Sequence, residues 1–504
     1  MNTTLFDYEL VNPDAGALIE ALRAFGYHLE TSIADIIDNS ISAGAHNIWI
    51  NPEWKGEFST ISIIDDGIGM SEEVLVNAMR AGSSNPLLER DPVDLGRFGL
   101  GLKTASFSQC RKLTVGSKPA KGKISVRCWD LDYVNKTGEW RLLNPGKNCF
   151  EGLFLTLEKI PSGTIVLWEK IDRITKGMDS KSRKHEDQFY YHLEVVKKHL
   201  SMVFHRYIEK SNTLKIFINK NPLKPWDPFL KTNEATQELP TTPITFYGQK
   251  ILVTPYILPH RSKLDDKTYE IAGDPGGWTE RQGFYVYRNK RLIVPGDWLG
   301  LGFRKEQHTK LARILVDIPN SLDGEWKIDV KKSSARPPAL IREDFKKIAS
   351  LTLERAIAVY RHRGKVVDNE TDDIFAYPWL TKVHHGFYHY SINRDHPIVS
   401  DILQAYGDER KKVEAMFRLI EETVPVPLII LNESQNPDKI KQPFEDTPTT
   451  ELQAVMSEVF DSMMNTGVSI DDAKNRLSHM KPFSDYPKFV NEFIHIKEQD
   501  VKNE

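Results

Sequence analysis

Three short polar motifs succeed one another early in the chain, and their order constrains the fold more than any other feature of the sequence. They are ADIIDNS (34–40), DDGIGM (65–70) and GRFGLGLKT (96–104). Helical and strand patterns alternate around them up to about residue 170, which predicts an α/β layer. The first motif lies on a predicted helix, the second at the end of a predicted strand, and the third at the start of another helix.

The first motif places Asp35 and Asn39 four residues apart on a helix predicted over 27–43. Side chains at positions i and i+4 project from the same helix face. A carboxylate there can act as general base toward a water, and a nearby amide oxygen can complete the shell of Mg²⁺. Taken alone, the pair is more typical of a solvated helix face.

The second motif places Asp65 at the end of the apolar run STISIIDD (59–66). A carboxylate at a strand end can accept a hydrogen bond from the exocyclic amine of a purine. Gly67 and Gly69 let the backbone approach a flat ring because they carry no Cβ. The same DDG sequence is also a common turn signal.

The third motif is glycine-rich and runs directly into an apolar helix. Such a start offers free N–H groups and a positive helix end to phosphates, and Lys103 adds a point charge. The spacing differs from that of a Walker A loop. The preceding segment, residues 80–99, is rich in Gly, Ser, Pro and Asp and is too long for a simple connector, so we interpret it as a lid.

Further elements follow from hydrophobic periodicity. Other strands of the first segment are predicted at 46–50, 112–116, 123–131 and 153–168. A charged stretch at 176–188 marks the first boundary. The strand-like runs of the second α/β segment are LKIFINKN (214–221), ILVTPYIL (251–258), QGFYVYRNKRLI (282–293) and ARILVDIP (312–319). The tail begins near Gly364 and carries one strand-like piece, GFYHYSI (386–392), and short amphipathic helices.

In combination and order, the three motifs resemble those of the GHKL ATPase superfamily (gyrase B, heat-shock chaperone ATPases, histidine kinases and MutL). DNSISAGA, DDGIGM and GRFGLGLK look most like bacterial MORC-like ATPases. The resemblance implies ATP and Mg²⁺ as ligands, Asp35 as general base and Asn39 as the Mg²⁺ ligand. It implies that Asp65 reads adenine and that Thr164 backs Asp65. The other implied nucleotide-binding residues are Gly67, Gly69, Met70, Gly96, Gly99, Leu100, Gly101, Leu102, Lys103 and Thr104.

The main departure from the family pattern is at the general base, which is usually Glu and is Asp35 in this chain. The shorter side chain implies slow hydrolysis or a second water, and a role for Glu30 or Asp38 stays open. Ser42 also stands where relatives often carry a further Asp.

The resemblance also implies a domain order. Residues 1–175 form a Bergerat-type ATP-binding sandwich, 189–363 a ribosomal-protein-like α/β transducer, and 364–504 a mixed, mainly helical region of unknown role. Within WKIDVKKSSARPP (326–338) we expect a strand that ends in a basic loop. Lys331 or Lys332 would reach the γ-phosphate from this loop and help phosphoryl transfer, and we favour Lys332. A basic surface loop is the alternative.

The function implied is an Mg²⁺-dependent ATPase that acts as an ATP-gated dimerising clamp. Such a homodimer would act on duplex DNA or in a restriction or antiphage system, with partner proteins supplying nuclease activity. Two alternatives stay open. One is a protein-remodelling, chaperone-like ATPase. The other is a nucleotide-gated binding module with negligible hydrolysis.

Composition narrows the class of protein. With 67 Lys and Arg against 70 Asp and Glu, the net charge is −3, and 40% of residues are hydrophobic. This balance excludes a wholly disordered, collagenous or coiled-coil chain. Three cysteines without CxxC spacing indicate a reducing compartment. Because the sequence shows neither a leader pattern nor an apolar run of the ~18 residues that a membrane span needs, we expect a cytoplasmic protein without membrane contact.

Two weaker patterns have competing interpretations. A histidine group in the tail resembles a metal cluster in number only and favours a structural role. A basic run could line a nucleic-acid groove, although a solvated face is favoured. The two sets are His384, His385, His389 and His396, and Arg288, Lys290, Arg291, Arg304, Lys305 and Lys310.

Overall fold

The computed structural model describes most of the chain and divides it into two compact units, Met1–Val366 and Val367–Glu504. The described residues are 13–24, 26–80, 101–145, 151–209, 214–274, 276–328, 334–361, 378–384, 387–405, 407–435, 449–480, 483, 486–487 and 489–494. Several predictions lie outside them: all of the predicted lid but residue 80, Gly96, Gly99, Leu100, Lys331 and Lys332.

The first unit contains a seven-stranded sheet with the order β4-β3-β5-β2-β1-β6-β7. Its strands are β1 Asn47–Glu53, β2 Thr60–Asp65, β3 Lys112–Lys118, β4 Ser125–Asp130, β5 Gly163–Glu169, β6 Lys215–Ile218 and β7 Asn221–Pro222. Neighbours pair antiparallel except β1 and β6, which are parallel. The predicted strands at 46–50, 59–66, 112–116 and 123–131 are therefore confirmed.

Helices cover both faces of this sheet. The helices of the first unit are α1 Ala15–Arg23, α2 Leu29–Ser42, α3 Glu72–Met79, α4 Gly101–Gln109, α5 Leu131–Thr137, α6 Glu151–Glu158, α7 Asp172–Thr175, α8 Arg183–Val203, α9 His205–Ile208, α10 Asp266–Gly273 and α11 Arg342–Arg361. Two of these helices, α10 and α11, pack against the second sheet of the unit. The stripe Ile33, Ile36 and Ile37 of α2 is buried in one core with Ile61 and Ile63 of β2. Both patterns follow directly from the 3.6- and 2-residue periods.

One predicted strand is partly wrong. Residues 163–169 form β5, but Glu151–Glu158 form α6, which packs on the other face of the sheet with Leu157 buried beside Val126 and Ile165. The alternating leucines of GLFLTLE are compatible with a strand, yet a short apolar run satisfies a helix period as well. The need to cover the second sheet face decides between the two.

The second sheet of the same unit is mixed, with six strands in the order β12-β11-β13-β10-β8 and β9 beside β10. The strands are β8 Gln237–Glu238, β9 Thr242–Phe246, β10 Gln249–Ile257, β11 Gly283–Arg288, β12 Arg291–Asp297 and β13 Ala312–Ile318. The sequence pattern groups the run 214–221 with this segment, but the run forms β6 and β7 of the first sheet, where β6 pairs with β1. Periodicity identifies a strand without identifying its partner.

The predicted strand at 326–338 is also corrected in its described part. Trp326 and Ile328 are buried as expected, but Trp326 lies in a turn and Ile328 follows that turn. The amide of Trp326 donates to the carbonyl of Leu322 (3.0 Å) and that of Lys327 to Gly324 (3.2 Å). Lys327 has a φ of 50°, which no extended strand allows.

The second unit combines a β-hairpin with helices. Its elements are β14 Trp379–His384, β15 Phe387–Ile392, α12 Pro397–Ala405, α13 Arg410–Thr423, α14 Val426–Gln435, α15 Thr449–Asn465 and α16 Ile470–His479. The strand predicted in GFYHYSI is confirmed by β15. The main core of this unit lies between α15 and α16. Within the described residues there is no group of three or more His, Cys, Asp or Glu side chains that could hold a metal.

These layers confirm the predicted α/β class. Among the described helices, none combines the length and the apolar character required to cross a bilayer.

The solvated face that the sequence favours for the basic run is found at Lys290 and Arg304, which are exposed, and in part at Lys305, but not at the other three residues. Arg288, Arg291 and Lys310 are each at most 4% exposed. Arg288 bonds to Asp323, and Arg291 to Asp38. A charge run in sequence does not show which side chains have carboxylate partners far along the chain.

We expect the core of the first sheet to depend on Trp168, which is fully buried and donates from Nε1 to Ser106 Oγ (2.9 Å). Trp168→Ala should lower the free energy of unfolding by about 3–5 kcal/mol. Phe58→Ala is the control, because Phe58 is 72% exposed. It should cost less than about 0.5 kcal/mol. Urea unfolding followed by far-UV circular dichroism measures both, and equal losses would contradict the assigned core.

Candidate functional site

A row of polar side chains crosses three strands at one end of the first sheet. Asp65 ends β2, Thr164 is its antiparallel partner on β5, and Ser117 of β3 is the next partner of Thr164. Directly paired residues project from the same face. The Ser117 and Thr164 hydroxyls lie 2.9 Å apart, and all three residues are at most 9% exposed.

The carboxylate of Asp65 is held by the helix above it and by its own loop. Ser40 of α2 donates its hydroxyl to Oδ2 (2.9 Å), and the amide of Gly67 donates to Oδ1 (3.0 Å). Asp65 points at α2 because it continues the inward row of Ile61 and Ile63. Burial raises the pKa of Asp65, and hydrogen bonds from Gly67, Ser40 and the Thr164 backbone offset this only in part.

The neighbouring Asp66 has a different role from Asp65, although the sequence alone does not distinguish the two adjacent carboxylates. Its carboxylate accepts from the backbone amides of His46 and Asn47 (2.7 and 2.8 Å) and from the Asn47 side chain (2.7 Å). Asp66 therefore fixes the start of β1, and Asp65 alone faces the polar row.

Glycines allow backbone to close around this row. A Cβ on Gly69, whose φ is 67°, would lie 2.1 Å from the carbonyl oxygen of Lys118. A Cβ on Gly67 would lie 2.8 Å from the carbonyl oxygen of Ala43. The amide of Met70 donates to Ser117 Oγ (2.8 Å). The DDGIGM loop is therefore pressed against α2 on one side and β3 on the other.

The two candidates of α2 have different exposure. Asn39 is exposed, whereas Asp35, one turn earlier, is 3% exposed. Asp35 Oδ2 accepts from the hydroxyl of Tyr27 (3.0 Å). Its Oδ1 lies 3.8 Å from a terminal nitrogen of Arg291.

Arg291 reaches this helix from β12 of the second sheet. Its Nε lies 2.8 Å from both carboxylate oxygens of Asp38, and the two side chains are 3% and 1% exposed. A cleft of about 460 Å³ lies between α8 and β12, and His199 is one of the residues that line it. Burial, with the charges of Arg291 and Arg281, lowers the pKa of His199 to about 3, so this histidine is neutral at physiological pH.

The described part of the third motif begins α4. Gly101 and Leu102 are partly exposed, and Lys103 and Thr104 are buried. Lys103 donates to the carbonyl oxygen of Ala78 near the end of α3 (2.8 Å), so it joins the two helices on either side of residues 81–100. Burial lowers the pKa of Lys103 to about 8.

The structure thus gathers Asp65 and Thr164 into one row, with Gly67, Gly69 and Met70 in the loop beside it. It also shows residues that sequence reasoning missed: Ser40, Ser117, Tyr27 and Arg291. Ser40 carried a signal, because it occupies the apolar stripe of α2 four residues after Ile36. The others carried none, since their roles depend on contacts between distant segments.

Part of the first unit matches the model of a known family. Residues 27–164 match the model of a family described as histidine kinase-, DNA gyrase B-, and HSP90-like ATPase. The match spans Tyr27, Asp35, Asp65 and Lys103 and ends at Thr164, and it supports the GHKL superfamily for this part of the chain. GHKL proteins are generally ATPases and often dimerise. A search of curated proteins found no match.

The close backbone approach at Gly69 gives a direct test of this loop. Gly44 has a similar φ, 72°, but a Cβ there would meet no atom of the described residues within 4 Å. Gly44→Ala should therefore cost about 1–2 kcal/mol, the ordinary cost of left-handed backbone. Gly69→Ala should cost clearly more, because the backbone of Lys118 must also move. Equal urea midpoints for the two variants would contradict this packing.

Proposed function

We propose that this chain binds ATP with Mg²⁺ and hydrolyses it slowly, as an ATP-gated dimerising clamp of the MORC/MutL type. The observation that carries the proposal is the buried Asp65 carboxylate in its polar row, inside the segment that matches the GHKL-type ATPase family. A solvated turn would leave this carboxylate in water, but here it is held by two donors and by closely packed glycines.

The row fits an adenine. The Asp65 carboxylate would accept from the exocyclic amine, with Thr164 and Ser117 behind it. The loop of Gly67, Gly69 and Met70 would lie along the ring. A purine amine is a suitable partner because an ionised acceptor makes a stronger hydrogen bond than a neutral one.

The start of α4 fits the phosphates. Gly101, Leu102 and Thr104 lie in its first turn, where backbone N–H groups favour anions. Lys103 would exchange the Ala78 carbonyl for a phosphate oxygen. Gly96, Gly99 and Leu100, and the choice between Lys332 and Lys331 as γ-phosphate ligand, stay predictions.

Mg²⁺ fits Asn39, whose exposed amide oxygen is the kind of hard donor that this ion takes. When bound, the ion would neutralise phosphate charge. Asn39 lies one helical turn from Asp35, so the proposed base and the proposed metal ligand share α2.

Asp35 would act as the general base. A water oxygen bonds to the γ-phosphorus, the bond from this phosphorus to the bridging oxygen breaks, ADP leaves, and the carboxylate takes the water proton. In the described structure Asp35 is buried against Tyr27 and close to Arg291. This observation also favours a second candidate function, a nucleotide-gated binding module with negligible hydrolysis.

The clamp has its support in the family match and in the second α/β layer, which we interpret as the transducer. Action on duplex DNA, a restriction or antiphage role and nuclease partners are part of the proposal on the MORC-like resemblance. Turnover stimulated by duplex DNA and reduced by salt would support DNA as the substrate. Stimulation by unfolded protein instead would indicate a chaperone-like ATPase.

The two adjacent acids test adenine recognition. Burial raises the folded-state pKa of Asp65, so its carboxylate lowers stability at neutral pH, and this cost disappears as the pH falls to the unfolded value. Asp65→Asn should therefore unfold at higher urea than wild type at neutral pH, with a gap that shrinks toward pH 4. ATP affinity should fall by about 10- to 100-fold, as one charge-assisted hydrogen bond is lost.

Asp66→Asn is the matched control. It loses a carboxylate that ties the start of β1, so its stability should fall while its ATP affinity stays near that of wild type. Equal losses of affinity in both variants, by isothermal titration with ATP and Mg²⁺, would remove Asp65 from the adenine site.

The base is tested by Asp35→Asn, which should bind ATP like wild type but release phosphate about 10²- to 10⁴-fold more slowly. Mass in solution with ATP should show a dimer in both proteins. Unchanged turnover would transfer the role of base to Glu30 or Asp38. Tight ATP binding without turnover in wild type would establish the binding module.

A further inference from the structure

The hairpin of β11 and β12 carries two arginines with buried carboxylate partners, and only one of the two reaches α2. Arg288 bonds to Asp323, which follows β13 (2.9 Å). Arg291, three residues later, leaves its own sheet and bonds to Asp38 on α2. Both pairs are buried, so burial alone does not distinguish them.

Arg291 contacts the proposed base as well as its neighbour. Asp35 and Asp38 stand three residues apart on α2, and the guanidinium spans them, with Nε at 2.8 Å from both Asp38 oxygens and a terminal nitrogen at 3.8 Å from Asp35 Oδ1. Tyr27 holds the other oxygen of Asp35 at 3.0 Å. Asp35 is therefore contacted by a hydrogen-bond donor of the first sheet layer and by a guanidinium of the second.

The shape of the guanidinium matters here. A planar guanidinium can hydrogen-bond one carboxylate and at the same time direct another nitrogen toward a second carboxylate. A lysine ammonium is a point charge and has no such fixed geometry. The second sheet is thus attached to the helix that carries the base through a group with fixed geometry.

We propose that Arg291 is a positioning residue for ATP hydrolysis, which holds Asp35 in its working orientation from the second sheet. This inference rests on the proposed ATPase function. The rate of ATP hydrolysis would then depend on the position of β12 relative to α2. A movement of the second sheet would change this rate although Arg291 does not contact the nucleotide.

Two variants test the role. Arg291→Lys keeps the charge and leaves Asp38 in place, but loses the planar guanidinium. Arg291→Met/Asp38→Leu replaces the whole ion pair by apolar side chains, which commonly preserves stability where a single substitution would leave a buried charge. The matched control is Arg288→Met/Asp323→Leu, which removes the other buried pair of the same hairpin without touching α2.

We expect both Arg291 variants to bind a non-hydrolysable ATP analogue with wild-type affinity and to lose turnover, by about tenfold for Arg291→Lys and about 100-fold for the double variant. The control pair should keep wild-type turnover. Urea midpoints show whether each protein is folded. Because Arg291→Lys retains Asp38, its loss of turnover cannot come from the Asp38 carboxylate.

The outcomes separate this inference from the function on which it rests. Wild-type turnover in folded Arg291→Lys would overturn the positioning role and leave the ATPase intact. Equal loss in the control pair would reduce Arg291 to a structural contact. A wild-type protein that binds no ATP, or does not hydrolyse it, would overturn both proposals.

Discussion

The buried ion pair between Arg291 and Asp38 constrains how the second sheet of the first unit meets α2. Removing a guanidinium and a carboxylate from water costs several kcal/mol per ion, and only close, well-oriented contacts offset this cost. Here Nε lies 2.8 Å from both Asp38 oxygens, and Asp35 lies beside the same guanidinium. If the second sheet moved from α2 while either side chain stayed buried, that side chain would be left as a buried charge without its partner, so the pair favours one position of the two layers.

In the polar row beneath α2, by contrast, the charge of one side chain lowers the stability of the fold. Burial raises the pKa of Asp65, which means that its charge lowers stability in the free protein. Ser40 and Gly67 reduce this cost without removing it. An apolar residue would suit the inward row of β2 better. The carboxylate is therefore best explained by a ligand that needs an acceptor at this point, and the match to the GHKL-type ATPase family suggests ATP.

Local patterns in the sequence were enough to predict the helix of the first motif and the strands around the second, because those elements follow directly from periodicity. The residues of α6 fit both the helix and the strand periodicity, and the need to cover the second face of the sheet is what favours the helix. At Trp326 the burial was predicted and the backbone was not, since a turn can bury the same residues as a strand. The partner of Arg291 lies 253 residues away, and no local pattern indicates such a pairing. The candidate site was thus predictable in its motifs but not in the contacts of Ser40, Ser117 and Tyr27.

Two groups that the proposed reaction needs are engaged by protein in the described structure. Lys103 donates to the carbonyl oxygen of Ala78, and Asp35 accepts from Tyr27. A phosphate that binds Lys103 must replace the contact with Ala78, which ties α3 to α4 on either side of the predicted lid. A water that approaches Asp35 must compete with Tyr27 and Arg291. Binding of the nucleotide and activation of the water would then each require a change in packing, and these changes occur at different contacts. A protein built in this way can respond to ATP binding before it hydrolyses ATP, which is the property that a nucleotide-gated clamp requires.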